Sequence, residues 1–378
     1  MKKIVLINQS SGYLTIDIAN AFAQQYDEVI LIAGSIQFFE RPLDTKIKIK
    51  KITPYNRNST FGRLSSWLKG SLQILYLLLF RFRKHELIFF TNPPFAYLSA
   101  GMIKRRYSIV VYDTYPDALK NIGIKETNLF YRLWQKWNKK IFPKAMNIFT
   151  LSESMSEQLT LYVEKEKIKI IPNWAASDIF ESIPKQDNFF VTKYGLKNKF
   201  VILYSGNMGY SHNLDTLIEV ALRLKSKPEI QFVFIGEGKK KSELISFTGK
   251  NKLENCIFLP WQPSKDLPYA LAAADLGVVT LNNATTLLSV PSKTYNLLAA
   301  GVPLLCISSA SSELANIVEK YDNGKNFQVN EIETIASYIL HLSENQEELK
   351  ILSKHSLIAA KDFSRDNANL YVRYHAQL

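Results

Sequence analysis

The chain has 378 residues and an apolar fraction of 47%, a length suited to two domains and a composition that excludes disorder. Its two cysteines, Cys256 and Cys306, sit in apolar runs, "NCIFLP" and "PLLCIS", and read as reduced core thiols with no metal-ligand spacing around them. The net charge of +13 is lopsided: residues 1–180 carry 26 Lys and Arg against 14 Asp and Glu, and the span 46–144 carries 20 against 4, which calls for an anionic partner surface.

The opening "MKKIVLINQSSG" has too short an apolar run for a signal peptide and predicts a first strand in a cytosolic chain. Gly12 then leads a loop and helix, "SSGYLTIDIANAFAQQY", into the strand "DEVILIAG", which makes a βαβ unit. The basic stretch 63–84, "RLSSWLKGSLQILYLLLFRFRK", follows. Its apolar core "ILYLLLF" is far short of the roughly 20 residues a spanning helix needs. Trp and Tyr interleaved with Lys and Arg, here and in "YRLWQKWNKKIFPK" (131–144), suit a helix lying in a headgroup layer, with Trp67, Leu75 and Leu78 inserted. A nucleic-acid backbone is the rival partner, but no helix-turn-helix, RRM or zinc pattern supports it. The plain alternative is an amphipathic helix packed on a sheet, which accounts for the leucines and leaves the cations unexplained.

Strand runs recur at "ELIFFT", "YSIVVYD", "AMNIFTLS" and "KIKIIPN", with helices near 128–142 and 153–164. Asp113 and Asp117 in "VVYDTYPD" stand at a strand end, where a carboxylate orients or deprotonates a hydroxyl; Asp117 equally suits a cap of the next helix. The periodicity fades over 174–195 and restarts with "KFVILYSGN", "IQFVFIGEG", "NCIFLP", "LGVVTL" and "PLLCIS", with helices between them. This alternation predicts two doubly wound α/β domains with parallel sheets, joined near 180, whose ligands lie beyond the carboxyl ends of the strands. One helix, "SKTYNLLAA", opens on Pro291 and stops at Gly301. The amides of Ser292 to Thr294 have no carbonyl four residues back and Lys293 adds charge, so this start is either an anion site or an ordinary end satisfied by water.

Taken in order, "IPNW" (171–174), "YSGNMGYSHNLDTLIEVA" (204–221), "FVFIGEG" (232–238), "FLPWQPSKDLPYALAAADLGVVTL" (258–281) and "VPSKTYNLLAAGVPLL" (290–305) resemble the family 4 glycosyltransferases. "TNPP" (91–94), "YDTYPD" (112–117), "NW" and "VPSK" are similar to the WbuB-like branch of surface-polysaccharide enzymes. The resemblance implies the GT-B fold of two facing Rossmann-like domains. Residues 1–180 would bind acceptor and 181–361 the nucleotide sugar, with the C-terminal helix, about 362–378, packed back on the first domain. It implies transfer of a hexose or an N-acetylated or deoxy hexose from a UDP donor to a lipid-linked saccharide, with retention, without cofactor or divalent metal, on the inner face of the membrane.

By the same resemblance Gly12 lies near the transferred sugar, and Gly206, Asn207, Gly209 and His212 form the glycine loop of the donor site. Glu237 lies near the nucleotide and Trp261 beside the base. Ser292, Lys293 and Thr294 receive the diphosphate, and Asn296 the ribose. Asp113 is the catalytic candidate, with Asn92 and Asp117 on the acceptor side. Two departures stand out: the glutamates usual eight positions apart are Leu288 and Asn296 here, and the usual Arg and Lys of the glycine loop are Asn207 and His212. Lys293 is then the nearest counter-charge. A non-catalytic sugar-nucleotide scaffold of the same fold is the alternative those departures favour.

Overall fold

The computed structural model describes residues 1–38, 41–56, 58–122, 125–176, 183–210, 212–281 and 291–377. The chain divides into two compact units, Met1–Ala176 with Arg365–Leu378, and Ser177–Ser364. The first unit holds β1 (Lys3–Ile7), β2 (Ser10–Ser11), β3 (Glu28–Ala33), β4 (Ser35–Ile36), β5 (Ile47–Lys51), β6 (Glu86–Phe90), β7 (Tyr107–Val110), β8 (Ile148–Thr150) and β9 (Ile168–Ile170). Seven of them form one sheet in the order β5-β3-β1-β6-β7-β8-β9, while β2 pairs with β4. All pairings are parallel; Leu6 lies opposite Leu31 on one side and Ile88 on the other. Alternation divides the strand between two cores: Val5 and Ile7 face one, Ile4 and Leu6 the other, so both faces are covered and the run reads as continuously apolar.

Sequence reading passed over β5, "IKIKK", because only Ile47 is buried; its lysines suit an edge strand, where charge deters pairing with another chain. The strand order reverses between β1 and β6, which sets the crevice of this sheet at the carboxyl ends of those two strands.

Four helices of this unit matter for the site: α1 (Tyr13–Ala23), α2 (Thr60–Phe80), α3 (Leu129–Ile141) and α4 (Glu153–Leu159). α2 starts at Ser59, whose hydroxyl accepts from the Gly62 amide, and buries Trp67, Gly70, Ile74, Leu77 and Leu78. That corrects the expected insertion face. Trp67 is 6% exposed and Leu78 fully buried, and Leu75 is half-buried, so the stripe containing them serves the core. The exposed ridge is instead Phe61, Leu64, Leu68, Leu72, Tyr76 and Phe80, three or four residues apart along the whole helix.

The C-terminal helix Asn367–Ala376 lies against α1 in the first unit, where Ser108 Oγ and His375 Nδ1 are 2.8 Å apart and Asn147 donates to the Tyr374 carbonyl at 2.9 Å. Trp174 of "IPNW" is a buried anchor of this unit: its indole donates to Asp17 at 2.8 Å, and Arg41 and Arg365 pair with the same carboxylate.

The second unit holds β10 (Phe200–Ser205), β11 (Ile230–Ile235), β12 (Cys256–Leu259), β13 (Leu276–Thr280), β14 (Leu304–Ile307) and β15 (Gly324–Phe327) in one parallel sheet of order β12-β11-β10-β13-β14-β15. The short polar β15, "GKNF", carries no strand signal of its own. Helices α5 (Phe189–Lys193), α6 (Leu214–Arg223), α7 (Lys241–Lys250), α8 (Leu267–Ala272) and α9 (Lys293–Ala299) are among those that cover the sheet. Here the order reverses between β10 and β13, so the loop after β10 and the start of α9 flank the crevice.

Candidate functional site

The second unit's crevice is built from loops that follow β10, β11 and β12. The Gly206 amide donates to the Ile235 carbonyl at 2.9 Å, Met208 to Glu237 at 2.8 Å, and Gly236 to Leu259 at 3.0 Å. Gly236 has φ +138°, and a Cβ on it would stand 2.1 Å from the Gly206 carbonyl oxygen, so no other residue fits. The Trp261 ring lies 3.5 Å from that same point and is 54% exposed, a rim residue rather than a core one.

Lys293 is the centre of the site. Its Nζ is sealed from solvent and, among the described residues, has no hydrogen-bond partner. It rests 3.7 Å from the centroid of the Tyr204 ring. A Cβ on Gly206 would lie 3.0 Å from it, so the glycine makes room for the ammonium. Burial pulls Lys293 down from 10.5 to about 7. His212 is also lowered, by burial first and then by the charge of Lys293, and its Nδ1 is buried with no partner among the described residues. The hydroxyls of Thr280, at the end of β13, and Thr294, in the first turn of α9, are likewise buried and without a partner among the described residues. Buried polar atoms are normally bonded, and leaving one unbonded costs about 1–3 kcal/mol, so this cluster reads as a site whose partner is a ligand rich in acceptor oxygens.

The sequence expectations map unevenly onto this geometry. Gly206, His212, Lys293 and Thr294 come together. Thr294 contributes by its hydroxyl and not by its amide, which donates to the Pro291 carbonyl at 3.0 Å and is lost to an incoming anion. Ser292 is exposed, and Asn296, one turn further along α9, is half-buried. Asn207 is exposed, with its amide 2.9 Å from where a Cβ on Gly209 would stand. Glu237 is exposed and paired with Lys241 at 2.7 Å. Tyr204 and Thr280 were missed; both end strands at the crevice, in "YSG" and "VVT", and that position was the only available signal. Leu288 lies outside the described residues.

In the first unit the loops after β1 and β6 meet across the switch point, the Gln9 amide donating to the Asn92 carbonyl at 2.7 Å. Gly12 precedes α1, and a Cβ added to it would meet nothing, so the space beside it is open. The Asn92 side-chain oxygen is buried with no partner among the described residues. Asp113 follows β7 with its side chain exposed, yet the protein mass around it raises its carboxyl above the ordinary 3.8. Its amide points at Thr91 Oγ1, 3.3 Å away. Asp117, the other acceptor-side candidate, accepts from Tyr131 at 2.6 Å and Tyr162 at 3.4 Å and pairs with Lys120 at 3.0 Å, so its carboxylate also ties this segment to α3.

Residues 186–356, nearly all of the second unit, match the family described as glycosyl transferases group 1. The chain is 26% identical over 264 residues to the probable glycosyltransferase WbjE of Pseudomonas aeruginosa, covering 67% of this chain and 65% of that protein. It is 32% identical over 178 residues to the putative colanic acid biosynthesis glycosyl transferase WcaI of Escherichia coli strain K12, covering 46% of this chain and 44% of the relative. The chain thus spans less than two thirds of the length of either relative. Among solved structures, Anabaena Alr3699/HepE in complex with UDP-glucose aligns over 100% of both chains with a TM-score of 0.75 at 18% identity. WaaG, a glycosyltransferase involved in lipopolysaccharide biosynthesis, aligns over 98% of both with 0.70 at 14%. These likenesses establish the fold.

Proposed function

We propose that the chain, whose second unit matches the group 1 glycosyl transferases and whose fold is GT-B, acts as an enzyme of that family. The protein transfers a hexose, or an N-acetylated or deoxy hexose, from a nucleotide sugar to a lipid-linked saccharide in surface-polysaccharide synthesis, with retention. The observation that carries this reading is the buried Lys293 ammonium between Tyr204 and the Gly206 loop, beside the Thr280 and Thr294 hydroxyls, all three without a hydrogen-bond partner among the described residues. A diphosphate supplies the charge and acceptors this cluster lacks, and the half-exposed Trp261 offers a face for a base. We take UDP as the nucleotide because the structurally similar Anabaena HepE was crystallised with UDP and with UDP-glucose.

The diphosphate charge then rests on Lys293 and on hydroxyl donors, and the reading calls for no divalent metal and no cofactor. Asp113 orients the acceptor hydroxyl. The basic first half and the α2 ridge put the protein on an anionic membrane surface, the inner face of the cell membrane by this reading; no described helix is long and apolar enough to cross a membrane. A thermal-shift screen over UDP-, GDP- and dTDP-sugars, followed by hydrolysis and transfer assays on the hits, tests the reading. Stabilisation by UDP-sugars that is lost in Lys293→Ala supports it, and no response to any sugar nucleotide overturns it. Stabilisation without turnover, even with lipid-linked acceptors present, favours the scaffold reading.

A further inference from the structure

Two buried side-chain nitrogens on the opening turns of α2 have no hydrogen-bond partner among the described residues. Arg63 is half-buried, and its Nε is buried with no hydrogen-bond partner among the described residues. Four residues later, on the same helix face, the Trp67 indole N–H is buried and also unpartnered. The Trp67 ring stacks on Tyr55 with centroids 5.7 Å apart and meets Phe95 and Tyr115 edge-on at 6.3 and 6.1 Å. Tyr115 in turn stacks on Trp134 of α3 at 5.4 Å. The Tyr115 phenol is held high by burial and then by the charge of Asp113, with Tyr55 and Arg63 also within electrostatic reach, so these groups surround one point. The buried Thr114 hydroxyl and the Asn92 side-chain oxygen, in the segments after β7 and β6, are also without a partner among the described residues.

A guanidinium presents a planar fork that suits a phosphate or carboxylate. Leu64 and Leu68 follow Arg63 and Trp67 by one residue each, about 100° further round the helix, and they belong to the exposed apolar ridge. An acidic group seated at Arg63 therefore leaves any attached apolar chain beside that ridge.

We propose that the first unit's crevice extends onto the opening turns of α2 as a subsite for an acidic group carried on an apolar chain, with Arg63 as its counter-charge and the Trp67 indole as a hydrogen-bond donor. The proposal rests on the reading of a lipid-linked acceptor and names the residues that hold its polar link.

Titration of the full chain with farnesyl diphosphate, farnesol and inorganic pyrophosphate, followed by tryptophan fluorescence and calorimetry, tests it. Farnesyl diphosphate binds at least tenfold more tightly than either part alone and changes the fluorescence, and Trp67→Phe abolishes most of that change. Arg63→Ala weakens binding roughly tenfold or more, the usual loss for a hydrogen bond to a charged group, and Arg63→Lys recovers part of it. Arg63→Gln, which keeps the side-chain length, shows the same loss with an unchanged thermal midpoint, so a folding defect is not the cause. With UDP in excess, which fills the Lys293 site, farnesyl diphosphate still binds the wild type. With UDP in excess, equal binding by wild type and Arg63→Ala, pyrophosphate as tight as the conjugate, or displacement of farnesyl diphosphate by UDP overturns the proposal. Absent farnesyl diphosphate binding with UDP binding intact overturns this subsite and leaves the donor reading standing. Absent UDP binding with farnesyl diphosphate retained does the reverse.

Discussion

Lys293→Met removes a charge while keeping most of the side-chain volume, and the free protein should become more stable for it. The ammonium is pulled from 10.5 to about 7 by burial. At about 1.36 kcal/mol per pH unit, such a fall withholds roughly 4–5 kcal/mol from folding wherever both states are protonated. The face of Tyr204, 3.7 Å away, returns up to about 2 kcal/mol to the cation, so a net gain of about 2–3 kcal/mol is expected at pH 7. The pH dependence has a definite sign. The unfolded chain keeps this proton up to 10.5, whereas the folded chain sheds it above about 7, so wild-type stability rises with pH between those values. The variant lacks that rise. Ligand-free thermal unfolding at pH 6, 7.5 and 9 should show the variant melting roughly 5–10 °C higher at the acid end, with the gap closing toward pH 10. The same variant should lose the stabilisation that UDP gives the wild type. A variant no more stable than wild type at pH 7, or a gap independent of pH, would refute the buried-charge reasoning.

Gly236→Ala puts a methyl 2.1 Å from the Gly206 carbonyl at a φ that L-residues avoid, so urea melts should lose at least about 2 kcal/mol, and a silent substitution would mean the two loops separate freely. Asp113→Asn should leave calorimetric UDP affinity unchanged and lower the transfer rate. Because crowding raises this carboxyl, the acid limb of the wild-type rate should lie above the ordinary 3.8 and vanish in the variant; equal rates would remove Asp113 from the site. Replacing Leu64, Leu68 and Leu72 together with Ser should abolish the salt-resistant part of binding to phosphatidylglycerol vesicles in a pelleting assay. Replacing Lys50, Lys51 and Lys69 with Ser should remove the salt-sensitive part, at about 1 kcal/mol per cation. Those lysines are exposed, whereas Arg105 donates to the Leu78 carbonyl at 2.7 Å and its loss would disturb the fold. Equal binding to neutral and anionic vesicles would refute the lipid reading.

The amino-acid sequence by itself determined the sheets. Runs such as "KIVLI" and "FVILYS" are apolar on both faces, and only a sheet covered on both sides buries them, so two α/β halves with parallel strands follow from local pattern alone. It also marked Gly206, Lys293 and His212, because strand ends and helix starts are local features. The tertiary structure alone decided what those side chains meet. That Lys293 Nζ lies over Tyr204, 89 positions earlier in the chain, depends on β10 and β13 being neighbours where the strand order reverses. The two faces of α2 show the same division. Periodicity shows that Trp67, Leu72 and Leu78 are apolar, but which stripe the core takes depends on how the helix is rotated against the sheet. The sheet took Trp67 and Leu78 and left Leu68 and Leu72 to solvent. Asp117 was a free carboxylate on the page until Tyr131 and Tyr162, from later segments, closed on it. Partners distant in sequence are set by packing, and packing is a property of all the elements together.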